Sequence, residues 1–164
     1  MAGRGSDNYR HLTDEQIRDA FHARGLRFTR QRASIYRALA STSSHPTAEE
    51  LLRFVRAENP QVSLATIYNT LDVLASSGLC RRLPGAAASS ACRYDADTHS
   101  HVHLVNESGE IVDVPPELGG ALLDQLSLET VAAIERELGV QVTQVEVRLV
   151  GRTDRASRRA VAAE

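Results

Sequence analysis

The chain has 164 residues, of which 42% are hydrophobic and 24% are charged. This hydrophobic fraction is enough to bury a core, so the composition predicts a globular protein of one large or two small domains. No apolar run approaches the ~20 residues of a bilayer-spanning helix, and no signal peptide pattern is present, so we expect a cytoplasmic protein that makes no contact with a membrane.

The net charge of −2 conceals two halves of opposite sign. Residues 1–86 carry twelve Arg and eight acidic residues, a net charge of +4, whereas residues 87–164 carry seven Arg and thirteen acidic residues, a net charge of −6. A basic half joined to an acidic half is typical of a domain that faces a polyanion, followed by a second domain with a different task.

The cysteine content argues against a disulfide framework. The chain contains two cysteines, Cys80 and Cys92, and no CxxC pair. Because cytosolic thiols are rarely disulfide-bonded, we expect both to be inert packing residues.

The first half of the chain shows start signals for four helices. Capping boxes begin at Thr13 and Thr47, and Thr29 and Ser63 are suitable N-cap residues. Apolar residues recur at helical spacing after each of them, and a glycine or a proline stops three of the four patterns. The predicted helices cover residues 13–24, 29–41, 47–59 and 63–77.

The residues around and after the third and fourth predicted helices favour a winged helix-turn-helix domain. Only residues 58–62 separate these two helices, a connection short enough to force a corner. Residues 79–83, the Pro84-Gly85 turn and a return strand through Cys92 to Asp95 then predict a two-stranded wing. The small-residue run 85–90 lies either at the tip of this wing or at a hinge between domains.

The second half predicts a smaller α/β domain. Residues 101–105 and 110–114 flank a turn and predict a hairpin. Helical segments follow Pro115-Pro116 and end at Gly139, and strand alternation runs over 140–149 with a bulge or short turn in the middle. We therefore predict an α+β fold with an N-terminal winged helix-turn-helix domain at 1–86, a small α/β domain at 87–152 and a disordered tail at 153–164.

The segment around residues 95–103 is rich in side chains that bind metals. On a strand, His101 and His103 would point to the same side, and Asp113 would lie on the next strand across a short hairpin. With Asp95, they provide imidazole nitrogens and carboxylates for a borderline or harder ion such as Fe(II), Mn(II) or Zn(II). The alternative is a set of exposed polar residues on an edge strand.

His45 precedes the third predicted helix and has two interpretations. It is either a surface residue near the helix cap or a further ligand of the same ion. In the second case, metal binding would hold the two domains in one orientation and would thereby couple the ion to DNA affinity.

The fourth predicted helix has the composition of a DNA recognition helix. Its face opposite the apolar stripe carries small, aromatic and amide side chains that suit thymine methyl groups and adenine edges. An arginine cluster at the start of the second helix could contact phosphates or a minor groove. The alternatives are wing packing for Tyr68 and a solvated face for the arginines. The predicted DNA-binding residues are Arg27, Arg30, Arg32, Ser63, Ala65, Thr66, Tyr68 and Asn69.

Taken together, the motifs resemble those of the ferric uptake regulator (Fur) superfamily over about residues 26–152. As a set they are far more specific than any one of them. The matching segments are LRFT-x-QR at 26–32, HPTAEE at 45–50, SLATIYNTL at 63–71, GL at 78–79, RYD at 93–95, HVHL at 101–104 and G-x-IVD at 109–113.

This resemblance implies a transcriptional repressor rather than an enzyme. It implies a homodimer that binds double-stranded operator DNA when each subunit holds one regulatory divalent metal, Fe(II) or Mn(II), with Zn(II) also binding in vitro. His45 matches the position before the third helix at which the family has a metal ligand. The resemblance therefore favours metal ligation by His45 over the surface interpretation. The implied metal ligands are His45, Asp95, His101, His103 and Asp113.

Within the superfamily, this chain most resembles the peroxide-sensing branch, PerR. Asp95, Asp113 and Asn69 carry that likeness. In the branch, peroxide reacting at bound Fe(II) oxidises a ligand histidine, for which His45 and His101 are the matching positions, and repression is lifted. An iron- or manganese-uptake regulator without peroxide sensing is the alternative within the family.

The chain also departs from the family pattern. The usual structural zinc site is built from four cysteines in two CxxC pairs, and both pairs are missing, so we expect no structural zinc and a dimer that depends on packing alone. Ser100, Val102 and Val145 stand where an additional metal site of some members has its ligands. Arg30 replaces a common proline, and His99 is either an exposed loop histidine or an extra ligand.

Two functions of other classes remain as alternatives to the repressor. The first is a metalloenzyme, in which His and carboxylate ligands activate water. No second catalytic group or substrate cleft is evident in the sequence. The second is a DNA-binding module whose metal site is vestigial or only structural.

Overall fold

The computed structural model describes residues 12–85, 91–143 and 145–152. The chain divides into two compact units, Met1–His99 and Ser100–Glu164. The elements in chain order are α1 Asp14–Ala23, α2 Arg30–Ala40, α3 Ala48–Glu58, α4 Leu64–Ser76, β1 Arg81–Leu83, β2 Arg93–Asp95, β3 His103–Val105, β4 Ile111–Asp113, α5 Pro116–Leu123, α6 Leu128–Leu138 and β5 Arg148–Val150.

The four helices of the first unit begin at the predicted caps. Thr13 and Thr47 each form a complete capping box, and Thr29 and Ser63 each accept a hydrogen bond from the backbone amide three residues later. Each cap satisfies an amide that the helix cannot pair internally, and is worth about 1 kcal/mol. The helix predictions for residues 13–77 are therefore confirmed to within a residue or two at each end.

The same four helices surround the core of the first unit. Their apolar stripes face inward, and Phe21 packs against Tyr36 with ring centroids 5.5 Å apart. Gly78 has a φ of +71° after the end of α4, and a Cβ there would lie 3.1 Å from Nη1 of Arg24. The fully buried side chains of this core include Ile17, Phe21, Ile35, Leu39, Leu51, Val62, Ile67, Leu71 and Leu74.

The predicted wing is present as the antiparallel pair of β1 and β2. Arg81 is paired with Asp95, and Leu83 is paired with Arg93. The strand β2 also bridges to Thr47, because the amide of Tyr94 donates to the carbonyl of Pro46 at 3.0 Å. These pairings keep β2 within the first unit, so the boundary between the units follows His99 rather than the predicted residue 86.

The second unit contains the predicted hairpin and two helices. In the hairpin, β3 pairs with β4 so that His103 faces Asp113. The turn closes where the amide of Gly109 donates to the carbonyl of Asn106, and Gly109 has a φ of +79°. Gly139 ends α6, as predicted, and its backbone is in the left-handed conformation.

The predicted strand at 140–149 is largely wrong. Among the residues of this segment that the structure describes, Arg148–Val150 form a strand, β5, which pairs in parallel with β3 and makes β3 the centre of a three-stranded sheet. Val140 and Val145 lie outside any strand and are 52% and 44% exposed. Alternation of valines therefore indicated a strand over residues that, where the structure describes them, pair with no strand before Arg148.

The second unit has a large exposed apolar surface. The helix α6 has no buried residue, although its sequence is amphipathic. Among the described residues, the most exposed large apolar side chains of this unit are Leu118, Leu128, Leu138 and Val150. None of the helices in the described ranges is long and apolar enough to cross a membrane. The predicted disordered tail at 153–164 and most of the run at 85–90 lie outside the described residues.

Candidate functional site

His45 and Asp95 meet inside the first unit. His45 is 2% exposed and Asp95 is 7% exposed, and the imidazole Nε2 lies 3.8 Å from the carboxylate Oδ2. The hydrogen bond between Tyr94 and Pro46 brings them together, because each partner is next to one of the two residues. Two ligand atoms of one ion can be at most ~4.2 Å apart when the metal bonds are ~2.1 Å, so this pair fits shared ligation.

The backbone of His45 is unusual. Among the described residues it is the one non-glycine residue with a positive φ, +47°. Such a conformation costs about 1–3 kcal/mol and persists where the surroundings hold it. Here the guanidinium of Arg93 donates to the carbonyl of His45 at 2.9 Å and to the carboxylate of Glu50 at 3.1 Å. Local sequence signals do not indicate this strain directly, although the following Pro46 disfavours a right-handed helical conformation at His45.

Three further predicted ligands meet inside the second unit. Nε2 of His101 is 2.8 Å from Nε2 of His103, and Oδ1 of Asp113 is 3.2 Å and 3.4 Å from these two atoms. Metal bonds of ~2.1 Å at octahedral or tetrahedral angles place ligand atoms ~3.0–3.4 Å apart. The three side chains therefore have the spacing and the chemistry of a metal-binding cluster.

His101 does not lie on the strand on which it was predicted. It was expected on the same strand as His103, but β3 begins at His103. The rings nevertheless approach each other, with centroids 4.3 Å apart and an angle of 63° between their planes. His101 lies in the segment that precedes β3, and the backbone of this segment brings its ring next to the ring of His103.

The protein thus has a His/Asp group able to hold a metal ion. His99 differs from these histidines because its side chain is 70% exposed and its Nδ1 is 2.8 Å from Oδ1 of Asp97. It is therefore an exposed loop histidine.

The predicted recognition helix α4 has a partly exposed polar face. Tyr68 is 38% exposed, Ala65 and Asn69 are exposed, and the hydroxyl of Thr66 lies 2.9 Å from that of Ser63. These side chains are therefore on the surface that a helix-turn-helix protein offers to a DNA groove.

The hydroxyl of Tyr68 donates to Oε1 of Glu49 on α3 at 2.8 Å. This hydrogen bond is the largest cause of two opposite shifts, because it lowers the pKa of Glu49 and raises the pKa of Tyr68. Sequence reasoning missed Glu49. Its position next to Glu50 of the capping box was a signal only for helix formation.

The arginine cluster before and in α2 has two kinds of members. Arg27 and Arg30 are exposed, whereas Arg32 is half-buried and its guanidinium donates to the carbonyl of Arg27 at 2.5 Å. Arg32 therefore also holds the backbone that carries Arg27.

The two cysteines have different environments. Cys80 is buried, and burial raises the pKa of its thiol to about 12. Cys92 is exposed, so the expectation that both cysteines are packing residues is wrong for Cys92. The packing prediction holds for Cys80 because it lies behind α4, where its Sγ is 3.9 Å from the carbonyl of Leu71.

Comparisons with known proteins agree on one family. The model of the ferric uptake regulator family matches residues 23–147. A peroxide-responsive repressor, PerR, of Staphylococcus aureus (strain Mu50) is 39% identical over 108 residues, which are 65% of this chain and 71% of the relative.

Solved structures of the family share the fold. A zinc-bound manganese uptake regulator is 26% identical, with a TM-score of 0.59 and coverage of 84% of this chain and 98% of that one. The ferric uptake regulator of Vibrio cholerae, at 24% identity, has a TM-score of 0.61 and coverage of 84% and 99%. The α+β architecture with a winged-helix domain is thus that of these regulators, and the chain belongs to the ferric uptake regulator family.

Proposed function

We propose that this protein is a metal-dependent transcriptional repressor that binds operator DNA as a homodimer and responds to peroxide. The observation that carries the proposal is the cluster of His101, His103 and Asp113, whose donor atoms are 2.8–3.4 Å apart. This spacing suits ligands of one ion better than independent surface groups, since two imidazole nitrogens in contact need a shared proton or a cation between them.

We assign the regulatory metal site to His45, Asp95, His101, His103 and Asp113. Nitrogen and oxygen donors without a thiolate suit Fe(II), Mn(II) or Zn(II), one ion per subunit. His45 and Asp95 belong to the unit that carries α4, and the other three ligands belong to the second unit. An ion that binds ligands from both units stabilises one arrangement of the two units. It raises DNA affinity only if that arrangement also binds DNA more tightly.

We assign DNA contact to the exposed face of α4 and to the arginines around the start of α2. Asn69 suits the edge of adenine and Tyr68 the methyl group of thymine, whereas the arginines suit phosphates. The basic charge of residues 1–86 supports this role. The proposed contacts are Arg27, Arg30, Arg32, Ser63, Ala65, Thr66, Tyr68 and Asn69.

We assign the dimer contact to the exposed apolar surface of the second unit. Monomeric proteins rarely leave so many large apolar side chains in water. On α6 the side chains of Leu128, Ile134 and Leu138 are 82%, 45% and 67% exposed. A second copy of the chain would cover them, in keeping with dimer formation by packing rather than by a structural zinc.

Peroxide sensing is the finer part of the proposal. It is supported by the 39% identity to a peroxide-responsive repressor and by the aspartates at positions 95 and 113. Fe(II) held by these ligands would activate peroxide, so that one peroxide oxygen is added to a ligand imidazole and the other leaves as water. His45 and His101 are the ligands whose rings we expect to gain oxygen. The second candidate is an iron- or manganese-uptake regulator, which the 26% identity to a manganese uptake regulator supports.

The metal dependence is tested by DNA binding with and without the ion. A duplex is first selected from a randomised library by the Mn(II)-loaded protein, and its affinity is then measured with Fe(II), with Mn(II) and after chelation. We expect tight binding only with metal, and we expect His101→Ala to abolish the difference. His99→Ala is the matched control, since its exposed ring lies two residues away. Equal binding after chelation would instead support a DNA-binding module without a regulatory metal.

The peroxide response is tested by mass spectrometry. Protein loaded with Fe(II) is treated with hydrogen peroxide and digested, and chelated protein serves as the control. We expect one added oxygen atom on a peptide that contains His45 or His101, together with loss of DNA affinity. Unmodified histidines with intact metal-dependent binding would contradict peroxide sensing and would favour the uptake regulator.

A further inference from the structure

The first turn of α3 is connected to the recognition helix by one hydrogen bond. The phenol of Tyr68 donates to Oε1 of Glu49 at 2.8 Å, across 19 residues of sequence. The acceptor is a carboxylate, and hydrogen bonds with an ionised partner are shorter and stronger than neutral ones. The bond therefore restricts a side chain that would otherwise rotate freely on an exposed helix face.

The backbone that carries Glu49 is held in place by its neighbours. The next residue, Glu50, completes the capping box with Thr47 and accepts from Arg93, whose guanidinium also donates to the carbonyl of His45. These contacts hold the backbone of the first turn of α3. Glu49 projects an exposed side chain from this turn, and its carboxylate accepts the hydrogen bond from Tyr68.

We propose that Glu49 is a positioning residue for DNA recognition, whose carboxylate holds the Tyr68 ring in the orientation in which α4 presents it to a base-pair edge. The inference rests on the proposed function, because it concerns how the repressor selects its operator. Glu49 acts through Tyr68 and needs no contact with DNA. Its effect is on specificity, since an oriented ring loses less rotational freedom when it meets the correct base.

The pKa shifts agree with this geometry. The bond to Tyr68 is the largest cause of the lowered pKa of Glu49, and the bond to Glu49 is the largest cause of the raised pKa of Tyr68. The carboxylate is therefore ionised and the phenol protonated near neutral pH, which is the state that the hydrogen bond requires.

The test measures specificity rather than affinity alone. The ratio of affinities for the selected duplex and for a scrambled duplex of equal length is determined for the Mn(II)-loaded protein and its variants. Removal of a negative charge strengthens binding to every duplex, so the ratio isolates the positioning effect. Glu58→Ala is the matched control, because it removes an exposed carboxylate at the other end of α3.

We expect Glu49→Ala to reduce the ratio by roughly two- to tenfold, the effect of freeing one side chain. Glu49→Gln should keep most of the ratio, because its amide oxygen still accepts the bond. Tyr68→Phe should reduce it as Glu49→Ala does, and the double variant should be no worse than the single ones. Glu58→Ala should leave the ratio unchanged.

A second measurement follows the phenol directly. Ultraviolet titration of the protein, with Tyr68→Phe subtracted, should show that Glu49→Ala lowers the pKa of Tyr68 toward its ordinary value. An unchanged ratio in Glu49→Ala, strictly additive effects of the two substitutions, or an unshifted phenol would each overturn the inference while the proposed function stands. A wild-type protein that selects no duplex would overturn the proposed function and the inference with it.

Discussion

His103 on β3 and Asp113 on β4 are directly paired across the hairpin, and Nε2 of the imidazole lies 3.4 Å from Oδ1 of the carboxylate. The hairpin register thus places one nitrogen and one oxygen donor together before any ion arrives. Because the short turn at Asn106–Gly109 determines that register, a local feature of the chain prepares part of the proposed metal site.

The first prediction concerns this pair. Asp113→Ala should lower the affinity for Mn(II) at least about tenfold, since loss of a ligand costs no less than loss of a group that only supports one. Titration calorimetry or competition with a chelating dye measures the effect. Asp124→Ala, an exposed carboxylate in the same unit, is the control and should bind Mn(II) as the wild type does. Equal Mn(II) affinity in Asp113→Ala and the wild type would remove Asp113 from the site.

The second prediction concerns the arginine that holds the strained His45 backbone. Arg93→Met should lower the free energy of unfolding by about 1–3 kcal/mol, because the carbonyl of His45 and the carboxylate of Glu50 lose a largely buried donor. Chemical denaturation measures this change.

Arg82→Met is the control for Arg93→Met. Arg82 also lies in the wing, and its ion pair with Asp72 is about half exposed at both side chains. Exposed pairs contribute only about 0–1 kcal/mol, so this variant should be close to wild type. If both variants had the same free energy of unfolding, the special role of Arg93 would be refuted.

The third prediction concerns thiol reactivity. Near neutral pH the thiol of Cys80 is protonated, because burial raises its pKa to about 12, and a protonated thiol is a poor nucleophile. In the native protein, iodoacetamide should therefore modify Cys92 and spare Cys80, as measured by the mass of the intact protein. Denatured protein should gain two modifications. Native labelling of a Cys92→Ser variant at a comparable rate would contradict the environment described for Cys80.

The fourth prediction concerns the exposed apolar surface of the second unit. Leu128→Glu combined with Leu138→Glu should convert a dimer into a monomer in sedimentation equilibrium, because charged side chains are costly in a desolvated interface. Phe54→Glu is the control, since Phe54 is 51% exposed in the first unit. A dimer that survives the double substitution would place the contact elsewhere.

The helices of the first unit could be predicted from the chain because their signals are local. A capping box such as Thr47 with Glu50 is complete within four residues, and the apolar stripe of α4 repeats within each turn. The predictions for the strands after Gly139 were worse. Whether Val145 or Leu149 belongs to a strand depends on a pairing partner elsewhere in the chain, and alternation alone does not identify that partner. For Leu149 the partner is Leu104, 45 residues earlier.

The candidate site could also be predicted only in part from the sequence. The residue types and the family motif single out the five proposed ligands, but the chain alone does not show that the His101 ring reaches His103 from outside the strand. Nor does it show that Tyr68 donates to Glu49, because that contact joins two helices.

The sequence by itself determined the helix limits and the turns, because these depend on residues within one or two helical turns of each other. Its residue types and family motif also singled out the ligands of the proposed metal site. Only the tertiary structure decided the parallel pairing of β5, the left-handed backbone at His45 and the bond between Glu49 and Tyr68. These features arise from packing between segments far apart in the chain, where many pairings satisfy the same local pattern and the whole fold selects one.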